Sequence, residues 1–122
     1  MHARQSRSIR LLVVVALGAV AFAAPAPPAH AVEKKVMIIE GKPDDASTWR
    51  FEPADITIKA GDTIAWQWKA TDEHSATADD GSFDSGVKRG NGTIWKHKFA
   101  APGSFPYSCV PHPYMFGTVN VQ

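Results

Sequence analysis

The chain has 122 residues, a formal net charge of +1, one cysteine and five histidines. This near-neutral balance of charge gives no support to nucleic-acid binding, which depends on a strongly basic surface. A single cysteine also excludes a disulfide within the chain, so its thiol is free, bridges to another molecule or binds a metal.

The first 31 residues have the pattern of a secretory signal peptide. Three arginines lie in the first ten residues, residues 11–24 are uncharged and apolar, and Ala29 and Ala31 provide the small residues of a cleavage site. The apolar run is shorter than the ~20 residues that a membrane-spanning helix needs. We therefore expect residues 1–31 to direct export, to the periplasm or an equivalent compartment, with no stable membrane insertion once they are removed.

Residues 32–122 are expected to form the mature protein, a single domain with enough length for one modest core. All twelve acidic residues but only ten of the thirteen basic residues lie in this part, so its formal charge is −2. An unpaired thiol is a liability in an oxidising compartment. Metal ligation by Cys109 is the interpretation that answers this liability best.

Short segments that alternate between apolar and polar residues, or are rich in β-branched residues, fill the mature part. Glycine, proline and aspartate residues separate these segments, and no long amphipathic helical pattern interrupts them. The predicted strands are residues 36–40, 56–58, 64–68, 94–99, 104–109 and 117–122. This pattern predicts an all-β sandwich.

Several polar residues of the mature part are expected to serve turns rather than chemistry. Asp79, Asp80 and Asp84 lie among glycine and serine residues, a composition typical of turns. Asn91-Gly92-Thr93 matches a glycosylation sequon, but Asn-Gly is foremost a tight-turn dipeptide.

The C-terminal part carries a pattern of ligands for a soft metal. Cys109, His112 and Met115 recur at every third position and offer a thiolate, an imidazole and a thioether. Two histidines and a cysteine with a weak axial methionine are the ligand set of a blue copper electron-transfer site. Pro111 and Pro113 bracket His112 and restrict the backbone of this loop.

The second histidine of such a site must come from elsewhere in the chain. Residues 32–122 contain three histidines, His74, His97 and His112. His74 follows a predicted strand at the start of a loop, where the end of that strand can bring it to a ligand loop far away in sequence. His97 lies in the middle of an alternating strand, so we expect a core histidine there rather than a ligand.

In their order along the chain, the motifs of the mature part resemble those of a known family. The matching segments are Phe51-Glu52-Pro53, residues 56–64, Trp66, Asp72-Glu73-His74, residues 99–103 and residues 107–117. Together they resemble the small blue copper proteins, the cupredoxins of the plastocyanin and amicyanin kind. The two-residue gaps on either side of His112 are most similar to the short ligand loop of amicyanin.

The resemblance implies a Greek-key β-sandwich of about eight strands over residues 32–122, a plastocyanin-like blue copper domain. It implies one type 1 copper ion, with His74, Cys109 and His112 as the trigonal ligands and Met115 as the axial ligand. Ser75 departs from the family pattern, in which asparagine commonly follows the first histidine ligand. Because a hydroxyl reaches less far than an amide, we expect the tie between the segment of His74 and the cysteine-bearing strand to differ.

These expectations point to a soluble, monomeric carrier of one electron between a protein donor and a protein acceptor, rather than an enzyme. The partners are expected to dock transiently near His112, where Pro111 and Pro113 contribute to the docking surface and Tyr114 and Phe116 either contribute to it or cap the core. The alternative is a periplasmic copper-binding or delivery protein, although delivery favours exposed methionine-rich or histidine-rich motifs. A copper enzyme would need an open coordination position or a second metal cluster, and the chain has too few histidines for either.

Overall fold

The computed structural model describes residues 19–25 and 30–122. Within these ranges, no helix is long and apolar enough to cross a membrane. The signal peptide predicted for residues 1–31 lies mostly outside the described residues, so its role stays a prediction.

In the described part of the chain, eight strands form two four-stranded sheets. The strands are β1 (Glu33–Ile39), β2 (Arg50–Glu52), β3 (Asp55–Ile58), β4 (Thr63–Lys69), β5 (Thr77–Ala78), β6 (Ile94–Lys98), β7 (Gly103–Ser108) and β8 (Phe116–Val121). The first sheet has the order β2-β1-β4-β6 and the second has the order β3-β8-β7-β5. The prediction of an eight-stranded, all-β sandwich is confirmed, although the sequence did not predict the short strands β2 and β5.

Each sheet contains one parallel pairing between strands that are distant in sequence. Strand β1 runs parallel to β4, from the pair Glu33 and Thr63 to the pair Ile39 and Lys69. Strand β3 runs parallel to β8, while β7 pairs with both β5 and β8 in antiparallel fashion. Because β1 and β4 leave their sheet at the same end, the segments after residues 39 and 69 emerge side by side.

Aromatic side chains from both sheets fill the core between them. Trp66 and Trp68 of β4 are fully buried, as their alternation with Gln67 predicts. The Trp66 ring lies 5.6 Å from the ring of Tyr107 in the opposite sheet, in an edge-on arrangement that aromatic pairs favour. These contacts fix β4 against β7, the two strands that lead to the predicted metal ligands His74 and Cys109.

His97 lies at the edge of this core, as predicted. Its half-buried ring stacks on Trp95 at 5.8 Å and meets Phe99 edge-on at 4.9 Å. Burial lowers the pKa of His97, which favours the neutral imidazole. The residue therefore serves as an aromatic packing group on strand β6.

Two of the three acidic residues between β5 and β6, Asp80 and Asp84, serve turns as predicted. Asp80 Oδ1 accepts a hydrogen bond from the Ser82 N–H at 2.8 Å, and Asp84 Oδ1 accepts one from the Gly86 N–H at 2.8 Å. Gly92 has a φ of +91°, as a tight turn at Asn-Gly requires.

Candidate metal centre

His74, in the connection that follows β4 of the first sheet, and Cys109, directly after β7 of the second sheet, meet at one end of the sandwich. His74 lies between β4 and β5, where its N–H and C=O form two 2.9 Å hydrogen bonds with the backbone of Lys88. Cys109 follows the last residue of β7, and His112 lies in the loop that leads to β8. The fold thus brings together residues that are 35 positions apart.

Three ligand-type atoms converge at this end. Cys109 Sγ lies 3.6 Å from His74 Nδ1 and 3.6 Å from His112 Nδ1, and the two Nδ1 atoms are 3.3 Å apart. His74 and Cys109 are fully buried, while His112 is half-buried. Bonds of about 2.0–2.3 Å from a metal to imidazole nitrogen and thiolate, at angles of roughly 110–120°, place trigonal ligand atoms about 3.3–4 Å apart. The observed separations therefore fit a trigonal metal site.

Met115 belongs to the same loop and is buried. The Cys109 N–H donates to the Met115 carbonyl at 3.0 Å, and the Met115 N–H donates to the His112 carbonyl at 2.8 Å. The His112 N–H in turn donates to the Cys109 carbonyl at 3.1 Å. These bonds fold the loop into a tight turn that holds all three predicted ligands on one short segment.

A family model described as copper binding proteins, plastocyanin/azurin family, matches residues 39–122. The chain belongs to the plastocyanin/azurin family. The resemblance predicted from the motif order is confirmed, and copper is the metal that this family binds.

Named relatives of this plastocyanin/azurin family member agree with the match. Plastocyanin from Scenedesmus fuscus is 32% identical over 90 residues, which cover 64% of this chain and 92% of the relative. Amicyanin-alpha from Methylorubrum extorquens is 32% identical over 78 residues, which cover 60% of this chain and 65% of the relative. Both kinds of protein named in the predicted resemblance are thus found among the relatives.

Solved structures show the same fold. A purple cupredoxin from Nitrosopumilus maritimus superimposes with a TM-score of 0.63 at 24% identity, covering 72% of this chain and 98% of that structure. A reduced amicyanin variant gives a TM-score of 0.61 at 20% identity, covering 74% of this chain and 82% of that structure. The cupredoxin fold of the plastocyanin/azurin family is therefore present.

Ser75, the residue that departs from the family pattern, still ties the two halves of the site together. Its Oγ accepts a hydrogen bond from the Val110 N–H at 2.9 Å and lies 2.9 Å from the Thr77 hydroxyl. Its own N–H donates to Cys109 Sγ at 3.4 Å. Ser75 is fully buried between the segment of His74 and the end of β7. These two segments lie close enough for the short hydroxyl to bond the backbone of Val110.

Replacing Ser75 with alanine is expected to lower the free energy of unfolding by about 1–3 kcal/mol, because the Val110 N–H loses its acceptor. Urea denaturation followed by tryptophan fluorescence measures this change. Ser104→Ala is the matched control, since Ser104 is exposed and, among the described contacts, its hydroxyl makes only an exposed hydrogen bond to the side chain of Asn120. Equal stabilities for the two variants would contradict the role of Ser75.

Burial sets the protonation of the two buried ligand groups. It raises the pKa of the Cys109 thiol, and it lowers the pKa of His74, an effect that the nearby Glu40 carboxylate partly offsets. At neutral pH the metal-free site therefore contains a protonated thiol and a neutral imidazole. A metal that binds here displaces the thiol proton.

Two residues that the sequence did not predict lie against the histidines. Glu40 Oε1 is 3.0 Å from His74 Nε2, and the Trp49 ring meets the rings of His74 and His112 edge-on at 5.5 and 4.9 Å. Neither residue carries a local sequence signal, because Glu40 reaches the site through the parallel pairing of β1 with β4, and Trp49 lies just before β2, which pairs with β1. The sequence signal for the site was the spacing of the ligands in the loop of residues 109–115, and Glu40 and Trp49 lie far from that loop in sequence.

Glu40 is ionised over nearly the whole pH range. Burial raises its pKa, but hydrogen bonds from the N–H groups of Thr71 and Asp72 and from the His74 ring outweigh burial and lower the pKa from 4.5 to about 2. Since the folded-state pKa lies below the unfolded value, Glu40 contributes stability that is complete above pH 4.5 and is lost as the pH falls towards 2.

Acid is therefore expected to destabilise the metal-free wild type more than the Glu40→Gln variant, which has no carboxylate to protonate. Urea denaturation of both proteins at several pH values measures the difference in their free energies of unfolding. That difference should stay constant above pH 4.5 and shrink between 4.5 and 2. A difference that does not change with pH would contradict the assigned pKa.

Proposed function

We propose that this protein is a soluble one-electron carrier with a single type 1 copper site. The observation that carries the proposal is the convergence of His74 Nδ1, His112 Nδ1 and Cys109 Sγ within 3.3–3.6 Å of one another in a largely buried setting. These three residues are proposed as the trigonal ligands and Met115 as the weak axial ligand, a set suited to copper electron transfer. Bound copper supplies the Cu(II)/Cu(I) couple.

In electron transfer, the protein holds the copper ligands in a fixed geometry. Three backbone hydrogen bonds link Cys109, His112 and Met115, and Pro111 and Pro113 restrict the backbone on both sides of His112. A ligand set that is held by its surroundings needs little rearrangement when the charge at its centre changes. This rigidity supports a carrier of electrons.

The half-buried His112 supports an exchange of electrons at this end of the sandwich. Its surroundings include three exposed apolar side chains, Val110, Tyr114 and Phe116, with exposed fractions of 60%, 46% and 71%. Tyr114 and Phe116 therefore do not simply cap the core. We propose that protein donors and acceptors dock transiently on this apolar surface, as small redox interfaces do.

The proposal also covers the organisation of the chain. Residues 1–31 are proposed as a secretory signal and residues 32–122 as the monomeric blue copper domain, which works in the periplasm or another exported location.

Enzymatic activity is not part of the proposal, because three strong ligands and an axial thioether leave no coordination position for a substrate. Delivery of copper is the alternative, and the burial of His74 and Cys109 disfavours it, since delivery requires ready exchange.

Addition of Cu(II) to the purified protein tests the proposal. An intense visible absorption from the thiolate-to-copper transition, with narrow copper hyperfine splitting in the EPR spectrum, is the expected result. Reversible voltammetry of the same sample, with slow transfer of copper to a chelator, would support a carrier of electrons. A colourless complex would overturn the proposal, and rapid transfer to the chelator would favour delivery.

A further inference from the structure

The connection between β1 and β2, residues 40–49, touches both histidines of the candidate metal centre. We refer to this segment as the strap. Its first residue, Glu40, contacts the outer nitrogen of His74, and its last residue, Trp49, packs against both imidazole rings. Nothing in the ligand pattern itself requires such a segment.

Glu40 fixes the orientation of the His74 ring. Because an ionised carboxylate only accepts hydrogen bonds, the 3.0 Å contact requires His74 Nε2 to carry the proton. The Nδ1 lone pair then faces Cys109 Sγ, as metal ligation requires. A carboxylate on the outer nitrogen of a metal-binding histidine fixes its tautomer and raises its basicity.

The carboxylate of Glu40 is itself held firmly. It accepts hydrogen bonds from the N–H groups of Thr71 and Asp72, at 3.0 and 2.6 Å, and from the Thr71 hydroxyl at 3.1 Å. The Glu40 side chain is only 14% exposed. These donors lie in the turn between β4 and His74, so Glu40 joins the ring of His74 to the turn that carries it.

Trp49 restrains both rings from the other side. Its ring lies edge-on to His112, with a centroid separation of 4.9 Å and an interplanar angle of 89°, and edge-on to His74 at 5.5 Å and 67°. Edge-on contacts between aromatic rings are favourable in themselves. Rotation of either imidazole out of the site would break its contact with Trp49.

The strap has enough internal bonding to act as a rigid support. The Thr48 hydroxyl accepts from the Lys42 N–H at 2.7 Å and donates to the Asp45 carbonyl at 2.7 Å. A Cβ at Gly41 would lie 2.5 Å from the Thr48 hydroxyl oxygen, so glycine is needed for this close approach. The Trp49 indole N–H donates to the Lys42 carbonyl at 3.3 Å, which ties the tryptophan into the same unit.

We propose that the strap is a positioning element of the copper site, in which Glu40 orients His74 and Trp49 restrains both His74 and His112. This inference rests on the proposed copper function and extends it to residues outside the ligand set. It follows that the strap slows the release of copper and lowers the reduction potential, because a carboxylate that raises the basicity of a histidine ligand stabilises Cu(II) over Cu(I).

The test for Glu40 compares Glu40→Ala and Glu40→Gln with the wild type, all loaded with Cu(II). Transfer of copper to EDTA is expected to be about 10–100-fold faster for Glu40→Ala and to change less for Glu40→Gln, which keeps an acceptor oxygen. The reduction potential should rise in the same order. Asp72→Asn is the matched control, because it removes a nearby negative charge whose carboxylate makes no described hydrogen bond to the ring. If the reduction potential rises as much in Asp72→Asn as in Glu40→Ala, then Glu40 acts only through its negative charge, and the proposal is overturned.

The test for Trp49 compares Trp49→Leu with Trp49→Phe, which restores an aromatic ring. Trp49→Leu should release copper several-fold faster and change the EPR spectrum, while Trp49→Phe should recover most of the wild-type behaviour. Trp95→Leu is the matched control, since Trp95 is also half-buried and stacks on a histidine outside the site. Thr48→Val should also accelerate the release of copper, because it loosens the strap without changing Glu40 or Trp49.

The outcomes separate the two proposals. If the wild type shows no intense thiolate-to-copper absorption, the proposed function fails. If the wild type shows it, and the Glu40 and Trp49 variants keep the wild-type release rate and potential, the copper function stands and the strap inference is wrong. Denaturation curves of every variant identify any that have not folded, and Glu40→Gln and Trp49→Phe are the conservative replacements that keep the test valid.

Discussion

Replacing Cys109 with serine is expected to abolish the intense visible absorption of the copper-loaded protein. The chain has no other thiol, and a serine hydroxyl stays protonated at neutral pH and is a poor ligand for a soft metal. The affinity for copper should fall by roughly 100-fold or more, beyond the loss that removal of an outer hydrogen-bond partner causes. Titration with Cu(II), followed by visible absorption and EPR, measures both effects.

Met115→Leu is the comparison that separates the roles of the two sulfur ligands. The axial thioether is a weak ligand, so this variant should keep the intense absorption and change chiefly its reduction potential. Serine and cysteine are similar in size, and a folded Cys109→Ser protein is therefore expected from its denaturation curve. Intense absorption that survives in Cys109→Ser would refute the proposed ligand set.

Gly117→Ala is expected to lower the free energy of unfolding by about 3 kcal/mol. A Cβ at Gly117 would lie 2.4 Å from the Ala54 carbonyl oxygen and 2.8 Å from the side chain of Tyr107. Neither neighbour moves easily, because the Ala54 carbonyl accepts a 2.9 Å hydrogen bond from the Thr118 N–H and Tyr107 is buried in the core. Overpacking of this kind typically costs about 1–3 kcal/mol, and the involvement of backbone places Gly117 at the upper end.

Gly81→Ala is the control for the backbone cost of losing a glycine. Its added Cβ would meet open space, but its φ of +75° lies in the left-handed region, so a loss of about 1–2 kcal/mol is expected from conformation alone. Thermal or urea denaturation of both variants measures the difference between them. A Gly117→Ala protein as stable as Gly81→Ala would show that Ala54 and Tyr107 move aside without cost, which would contradict the prediction.

The sequence predicted the parts of the site that are encoded locally. Spacing alone predicted Cys109, His112 and Met115 as one ligand loop, because ligands on a short loop must recur at short intervals, and the structure groups Cys109 and His112 with His74. His74 was identified from its position after an alternating strand together with the resemblance to a family, and the structure brings it to Cys109. The alternating pattern also predicted the longer strands correctly, since each of them has one face in the core.

The parts that escaped prediction depend on pairing between distant segments. Strands β2 and β5 have only three and two residues, too short for a periodic pattern, and their neighbours define them. Glu40 reaches His74 because β1 lies parallel to β4, and this pairing leaves no mark in either sequence segment. Whether the Ser75 hydroxyl could bond the backbone of Val110 depended on how closely the segment of His74 approaches the end of β7. The type of side chain at position 75 does not reveal that distance.

The parallel pairing of β3 with β8 affects how long the Cys109 thiol is exposed to oxidants while the protein folds. This pairing joins Asp55 to Thr118, so the second sheet is complete only after long stretches of chain have been ordered, and all-β proteins with such distant contacts fold in milliseconds to seconds. During that interval Cys109 is open to oxidants, whereas in the folded protein it is fully buried. In an oxidising compartment, the yield of active protein therefore depends on whether this sheet forms before the one sulfhydryl group of the chain is oxidised.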